Sequence, residues 1–315
     1  MKYQKIILLG GSGFVGRHLA VELAQRGYQV TIPCRRPQRH SALKVLSGIS
    51  LIEADIMQAD KLSELCKGHD VAINLLGILN ESRKNDFRRI HIDFVKSVVQ
   101  ACQSQKIKRL LHISALGADQ ATGSSNYLRS KGEGENMVHT FGQKDLRVTS
   151  FQPSVIFGPD DSFINRFAGI LKLCFGVFPI ACADSRFAPV YIEDLVTLMA
   201  DSIEDKNSWS KRYSVCGPES FTLQQIVQQI AHAIGSRCKI AGLPDSLAKL
   251  QAVILQNLPG KLFTLDNYRS LQTPSTCSES SHPCKTSFSA YVKGLSCSYD
   301  RRSDYARYRQ QLPRK

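Results

Sequence analysis

Apolar and polar positions follow two rhythms along the first half of this chain. Short apolar, β-branched runs recur at Lys5–Leu9, Gln29–Cys34, Ser50–Glu53, Val71–Leu75, Arg109–Ser114 and Arg147–Gln152. Runs of this length bounded by polar residues predict strands buried on both faces. Between them, apolar residues recur at helical spacing over Val15–Arg26, Lys61–Cys66, Phe87–Ser104 and Ser125–Phe141. Strand and helix in strict alternation predict an α/β fold, a doubly wound parallel sheet with its ligand beyond the carboxyl ends of the strands.

After Pro153 the rhythm changes. Helical spacing marks Phe163–Leu173, Ile192–Ser202 and Leu223–Ile234, with a strand at Tyr213–Cys216 and an amphipathic helix at Leu247–Leu258. The apolar stretch from Phe167 to Ala183 is broken by Lys172, Gly176 and Pro179. It falls short of the roughly 18 apolar residues a membrane span needs, and reads as a buried helix and turn. The Ser-, Thr- and Cys-rich stretch from Thr273 to Ser298 predicts irregular structure. The expected organisation is a dinucleotide-binding domain over 1–154 and a smaller, partly interleaved C-terminal subdomain over 155–315.

Charge and cysteine usage sharpen this picture only in part. The net charge is +14, and residues 301–315 carry six basic side chains against Asp304. Such a tail meets phosphates, anionic lipid or an acidic partner, or is simply solvated. No nucleic-acid-binding module accompanies it, so no nucleic acid is expected. Ten cysteines are scattered singly from Cys34 to Cys297 with no CxxC pair. That excludes a zinc ribbon, predicts no metal site, and reads as thiols in a reducing compartment. The chain runs from Met1 directly into its first strand, so no targeting segment is expected and a cytoplasmic location follows.

Chemistry concentrates at the predicted strand ends. Leu8-Leu9-Gly10-Gly11-Ser12-Gly13-Phe14-Val15-Gly16 leaves a strand and opens a helix. That context makes the glycine spacing the signature of a Rossmann dinucleotide loop. Gly10 permits a tight turn, Gly13 lets backbone approach a pyrophosphate, and Gly16 lets helix pack on strand; Phe14 and Val15 contribute first-turn amides. If Gly13 needs a positive φ, substitution there also disturbs the turn. NAD-selective folds place a carboxylate ~20 residues after the loop, at the end of the second strand. Here the window reads Thr31-Ile32-Pro33-Cys34-Arg35-Arg36-Pro37. Two guanidiniums replace the acid, so Arg35 and Arg36 are expected to grip a 2′-phosphate and NADPH is expected over NADH. Asp55 and Ile56 follow the third strand as candidates for the adenine, Leu75 and Gly77 follow the fourth as candidates near the adenosine, and Pro153 ends the sixth.

The catalytic candidates are Ser114 and Tyr127-Leu-Arg-Ser-Lys131. Tyrosine and lysine at i and i+4 share a helix face, and an ammonium beside a phenol is expected to lower its pKa. Ser114, at the fifth strand's end, would hold a carbonyl alongside. The pair is equally compatible with gripping the nicotinamide ribose. Asp160-Asp161 imitates a catalytic carboxylate pair but follows Gly158-Pro159, and reads as a turn and helix start.

Taken together, the glycine loop, Ser114, Tyr127-x-x-x-Lys131 and Gln152-Pro-Ser-Val-Ile-Phe-Gly158 resemble the extended and atypical short-chain dehydrogenases. Asn126–Glu135, Pro153–Ala168 and Pro189-Val-Tyr-Ile-Glu-Asp194 narrow the resemblance to the NADPH-binding accessory subunit of respiratory complex I and its bacterial relatives. The similarity runs from about residue 5 to 235, with an echo at Leu262–Asn267. It implies an NADPH-binding structural or assembly factor tied to a membrane-bound respiratory or quinone system, peripheral to a membrane. The alternative is an NADPH-dependent oxidoreductase, or a sugar-nucleotide epimerase or dehydratase, using Tyr127 and Lys131.

Overall fold

Six strands form where the apolar runs predicted them, to within one residue at either end: β1 (Lys5–Leu9), β2 (Gln29–Cys34), β3 (Ile49–Glu53), β4 (Val71–Asn74), β5 (Arg109–Ile113) and β6 (Arg147–Pro153). The structure, a computed structural model, describes residues 3–142, 145–257, 261, 263–277 and 282–295. The basic tail 301–315 lies outside these residues, as do Leu258, Leu262 and Cys297. Further along come β7 (Ile156–Phe157), β8 (Val177–Ile180), β9 (Arg186–Phe187), β10 (Val190–Tyr191), β11 (Lys211–Cys216), β12 (Phe221–Thr222), β13 (Lys239–Gly242) and β14 (His282–Pro283). The main sheet has the order β14-β11-β6-β5-β4-β1-β2-β3, and every pairing in it is parallel. The expected α/β, doubly wound Rossmann sheet is therefore present.

Alternation along each strand feeds two cores. Ile6 and Leu8 of β1 point to one face, where Leu19 and Leu23 of the helix Phe14–Gln25 meet Leu195, Val196 and Met199 of the helix Ile192–Asp201. Ile7 and Leu9 point to the other, against Leu62 of Ala59–Cys66, Val98 and Cys102 of Phe94–Ser104, and Val138 of Asn126–Phe141. A third core joins Phe157, Ile164, Leu171 and Ile226 to Phe288 and Val292.

Four features differ from the sequence expectations. The single helix expected over Phe87–Ser104 is interrupted by a π-helical turn at Arg89–Asp93. This wider turn brings the His91 backbone against Gly134, where any Cβ would strike the His91 carbonyl oxygen. Within the stretch expected to be irregular, residues 288–295 are helical and bury Phe288 and Val292. Cys216 and Cys277 form a disulfide across a sequence separation of 61, a pairing their spacing does not signal. The apolar stretch expected to be buried exposes Leu173, Phe175 and Val177 where it turns into β8.

Arg109, fully buried in β5, fixes the far side of the sheet. Its guanidinium donates to the carbonyl oxygens of Ile203 (3.3 Å), Arg147 (2.9 Å) and Ser202 (2.7 Å). It also donates to the hydroxyls of Thr149 and Ser208, each at 2.7 Å. Planar, always-charged geometry suits it to this many acceptors at once. Replacing it strands several buried acceptors, each costing ~1–3 kcal/mol. Arg109→Leu is therefore expected to lower unfolding free energy by about 3 kcal/mol or more, read from the urea midpoint at unchanged m. A loss of under about 1 kcal/mol would show these bonds to be dispensable.

Candidate cofactor site

Because every strand of the main sheet runs the same way, the loops that leave the strands collect on one edge. The candidate residues fall along it in strand order: Asp55 and Ile56 after β3, Arg35 and Arg36 after β2, Gly10 to Gly16 after β1, Leu75 and Gly77 after β4, Ser114 after β5, and Pro153 at the end of β6. Backbone hydrogen bonds bind the row together. Ala54 N–H donates to Cys34 (3.2 Å), Leu75 N–H to Leu9 (2.9 Å), Ser114 N–H to Phe151 (2.7 Å) and Leu116 N–H to Pro153 (3.1 Å).

The glycine loop divides its work differently from the expectation. Gly10 takes the positive φ, +82°, and lies so near Leu75 and Leu76 that a Cβ would meet the Leu76 nitrogen at 3.0 Å. Gly16 is pressed onto the loop itself, where a Cβ would come within 2.5 Å of the Gly10 oxygen and Gly11 Cα. Gly13 is the N-cap of the following helix at φ −76°, with no side chain capping that end. A Cβ on it would meet only the Gly10 oxygen, at 3.3 Å. The turn therefore does not need glycine at 13 for its backbone conformation. What glycine leaves there is an uncapped helix N-terminus, whose amides and dipole suit an anion. Phe14 and Val15 in the first turn are half-buried.

Arg35 and Arg36 are both exposed past the end of β2 and form no ion pair with a described residue. Asp55 is exposed, and its Oδ1 accepts from the Met57 N–H at 3.1 Å, a local turn. Ile56 packs on the core beneath that turn.

At the other end of the row, Tyr127 and Lys131 lie on one helix with Ser125 as N-cap, its hydroxyl accepting from the Leu128 N–H at 3.1 Å. Lys131 is buried and donates to the Ile113 carbonyl at the end of β5, at 2.6 Å. Ser114 follows immediately, its hydroxyl buried without a hydrogen-bond partner among the described residues. Gly77 faces the group from above: a Cβ there would lie 3.7 Å from both Lys131 Nζ and His91 Nε2.

His91 is a site residue that sequence reasoning missed. Its Nε2 accepts from the Ile78 N–H at 3.1 Å, so Nδ1 carries the proton and donates to Ser130 Oγ at 2.9 Å. Its ring packs edge-on against Tyr127 with centroids 5.8 Å apart. Burial first, then the Lys131 ammonium, pushes its pKa down to about 3. A lone histidine within a helical pattern carries no signal for this role; only the π turn aims it at the site. Asp266 was missed as well. Its carboxylate accepts from the N–H groups of Asn126 (2.8 Å) and Tyr127 (3.0 Å), holding the start of the Tyr127 helix from 140 residues away.

One electrostatic expectation is overturned. Burial pushes the Tyr127 phenol up, to about 12, with no opposing contribution from Lys131. The ammonium is spent on the Ile113 carbonyl, and desolvation of the phenolate dominates. Lys131 itself is pushed down to about 8 by burial, partly offset by Glu135 one helical turn on. The reading of Asp160-Asp161 as a turn agrees with the structure: Asp161 Oδ1 accepts from the Ile164 N–H at 2.6 Å, at the start of the helix Phe163–Leu173.

A sequence profile of the NAD dependent epimerase/dehydratase family matches residues 6–216. The chain belongs to that family. It is 28% identical over 229 residues to the mouse NADH dehydrogenase [ubiquinone] 1 alpha subcomplex subunit 9, covering 71% of this chain and 59% of that protein. It thus spans about three fifths of that relative's length. The Caulobacter vibrioides ceramide reductase is 26% identical over 242 residues, 76% of this chain and 74% of its own. In fold, the Bacillus cereus UDP-glucuronic acid 4-epimerase, solved with NAD, superposes with a TM-score of 0.67 at 20% identity, covering 94% of this chain and 98% of that one. The resemblance to the complex I subunit is thereby borne out at the level of homology.

The buried lysine gives this member of the family a pH signature. With a folded pKa near 8 against 10.5 when exposed, Lys131 stays protonated longer in the unfolded chain. Its charge therefore costs stability below pH 8, and the cost disappears as pH rises from about 8 to 10.5. At about 1.4 kcal/mol per unit it amounts to roughly 3 kcal/mol. Measured by urea unfolding, the parent is expected to gain on Lys131→Met across that window. Parallel stability curves for the two proteins would refute the assignment.

Proposed function

We propose that this protein binds NADPH along the carboxyl edge of its sheet, as an accessory or assembly factor of a membrane-bound respiratory or quinone-linked system. The observation that carries the cofactor reading is the pair Arg35 and Arg36, exposed and without a described ion-pair partner at the end of β2, beside an uncapped helix N-terminus. The uncapped helix at Gly13, with Phe14 and Val15, would take the pyrophosphate. Arg35 and Arg36 would take the 2′-phosphate, with Asp55 and Ile56 at the adenine and Leu75 and Gly77 near the adenosine. Tyr127 and Lys131 would hold the nicotinamide ribose, with Pro153 beyond. The biological role rests on the relatives: the mouse protein of that name is a complex I subunit. No helix among the described residues is long and apolar enough to cross a membrane.

A second reading, a reductase, is favoured by one observation at the same site: the Ser114 hydroxyl is buried and unpartnered. A reduced nicotinamide dinucleotide, if bound along this edge, would supply the hydride. Ser114 would donate to a substrate carbonyl, and Tyr127 would supply the proton. A phenol held protonated well above neutrality is a donor, which suits carbonyl reduction better than alcohol oxidation. The ceramide reductase relative is consistent with that direction.

Calorimetric titration is expected to show NADPH binding at least tenfold tighter than NADH, a difference on the order of 1.4 kcal/mol. Replacing Arg35 and Arg36 together with serine should erase the preference, and equal affinities in the parent would sink it. Gly13→Val is expected to stay folded while abolishing binding, because position 13 is exposed and a Cβ there meets only the Gly10 oxygen, at 3.3 Å. Normal binding by that variant would mean the site is elsewhere. The two roles separate on Tyr127→Phe: a reductase loses ~10²–10⁴-fold in turnover with cofactor affinity retained. An accessory factor shows no NADPH consumption with quinone, aldehyde or sugar-nucleotide substrates to lose.

A further inference from the structure

The helix Asp245–Leu255 is built inside out. Its small residues Ala248 and Ala252 are buried against Ala181 and Tyr268, while Leu247, Leu250, Val253 and Ile254 face solvent. Burial of large apolar side chains drives folding, so a helix that spends alanines on its own core has its larger apolar surface left over. Beside it, the turn into β8 does the same: Phe175 is 92% exposed and Leu173 82% exposed, with Val177 next to them. The two elements adjoin, since Gln251 Nε2 donates to the Pro179 carbonyl of β8 at 3.3 Å. Large apolar side chains left exposed on neighbouring elements in this way mark an interaction site.

Charge selects the occupant. Residues 162–183 contain Arg166 and Lys172 and no acidic residue before Asp184, and residues 236–257 contain Arg237, Lys239 and Lys249 against Asp245 alone. All five cations are exposed, and Lys239 pairs in register with Val177 at the patch itself. Asp245 is neutralised by Lys249 at 2.7 Å. We propose that this apolar, cation-fringed face docks on the surface of an anionic lipid bilayer. Phe175, Leu173 and the leucines of the helix enter the boundary of the acyl region, and Arg166, Arg237 and Lys239 meet headgroup phosphates. The face stands apart from the glycine loop, so the proposal does not depend on cofactor binding.

Flotation of the full chain with phosphatidylcholine vesicles containing phosphatidylglycerol, against phosphatidylcholine alone, tests this. The parent is expected to float with the anionic vesicles and to release as salt is raised. Leu173→Ser/Phe175→Ser and, separately, Leu247→Ser/Leu250→Ser should each weaken binding at least about tenfold. Both should keep the parent's melting temperature and NADPH titration, because the altered side chains are exposed. Undiminished flotation of both variants overturns the proposal, since any other basic segment would then suffice. So does a parent that never floats, or one equally bound to neutral vesicles. A parent that self-associates in sedimentation, with monomeric variants and no vesicle binding, assigns the face to a second copy and overturns it equally.

Discussion

A parallel sheet leaves no face in water. Because each crossover helix must return over one side or the other, β1, β4, β5 and β6 are covered on both sides. Exposed polar chemistry is thereby concentrated at the carboxyl edge, where the chain turns out of each strand. Everything assigned to the site follows from that placement. Gly16 is needed because the helix Phe14–Gln25 is pressed onto the loop that leaves β1. The uncapped amides at its start are the polar remainder of the same packing.

Two buried cations show how differently the interior treats charge. Arg109 is surrounded by five hydrogen-bond acceptors and sits far from the loop edge, a brace between β5, β6 and the end of the helix Ile192–Asp201. Lys131 has the Ile113 carbonyl and a more distant Glu135, and burial lowers its pKa much nearer to neutrality. An ammonium so sparingly compensated is costly to hold, which is the behaviour of a group kept for binding or chemistry more than for stability. Around it, His91 and His112 stay neutral for the same reason, desolvation reinforced by the lysine's own charge.

The C-terminal part contributes to the site mostly from a distance. Asp266 grips the start of the Tyr127 helix, Ser270 donates to Ser125, the N-cap of that helix, and Thr273 bonds Ser124. Ser275 accepts from Ser154 just past β6, two residues before the disulfide from Cys277 to Cys216 at the end of β11. A single strip of chain thus laces the strand ends together, while the neighbouring helix Asp245–Leu255 turns its apolar face outward.

What the sequence alone determined is whatever repeats at short range. Strand periods placed the first six strands to within one residue, and the glycine spacing located the loop, because both are local consequences of backbone geometry. Strand ends then placed Arg35, Asp55, Gly77 and Ser114 on one edge without any contact being known. Tertiary structure decided the rest, because those properties depend on which distant atoms come close and how much water they exclude. The π turn that aims His91, the capping by Asp266 and the Cys216–Cys277 bond join residues whose separations carry no pattern. The phenol of Tyr127 rises where a nearby lysine suggested a fall, since desolvation is a property of the folded surroundings and not of spacing. The outward face at Phe175 and Leu250 has the same origin: periodicity marks an apolar stripe, but only packing decides whether the alanines or the leucines fill the core.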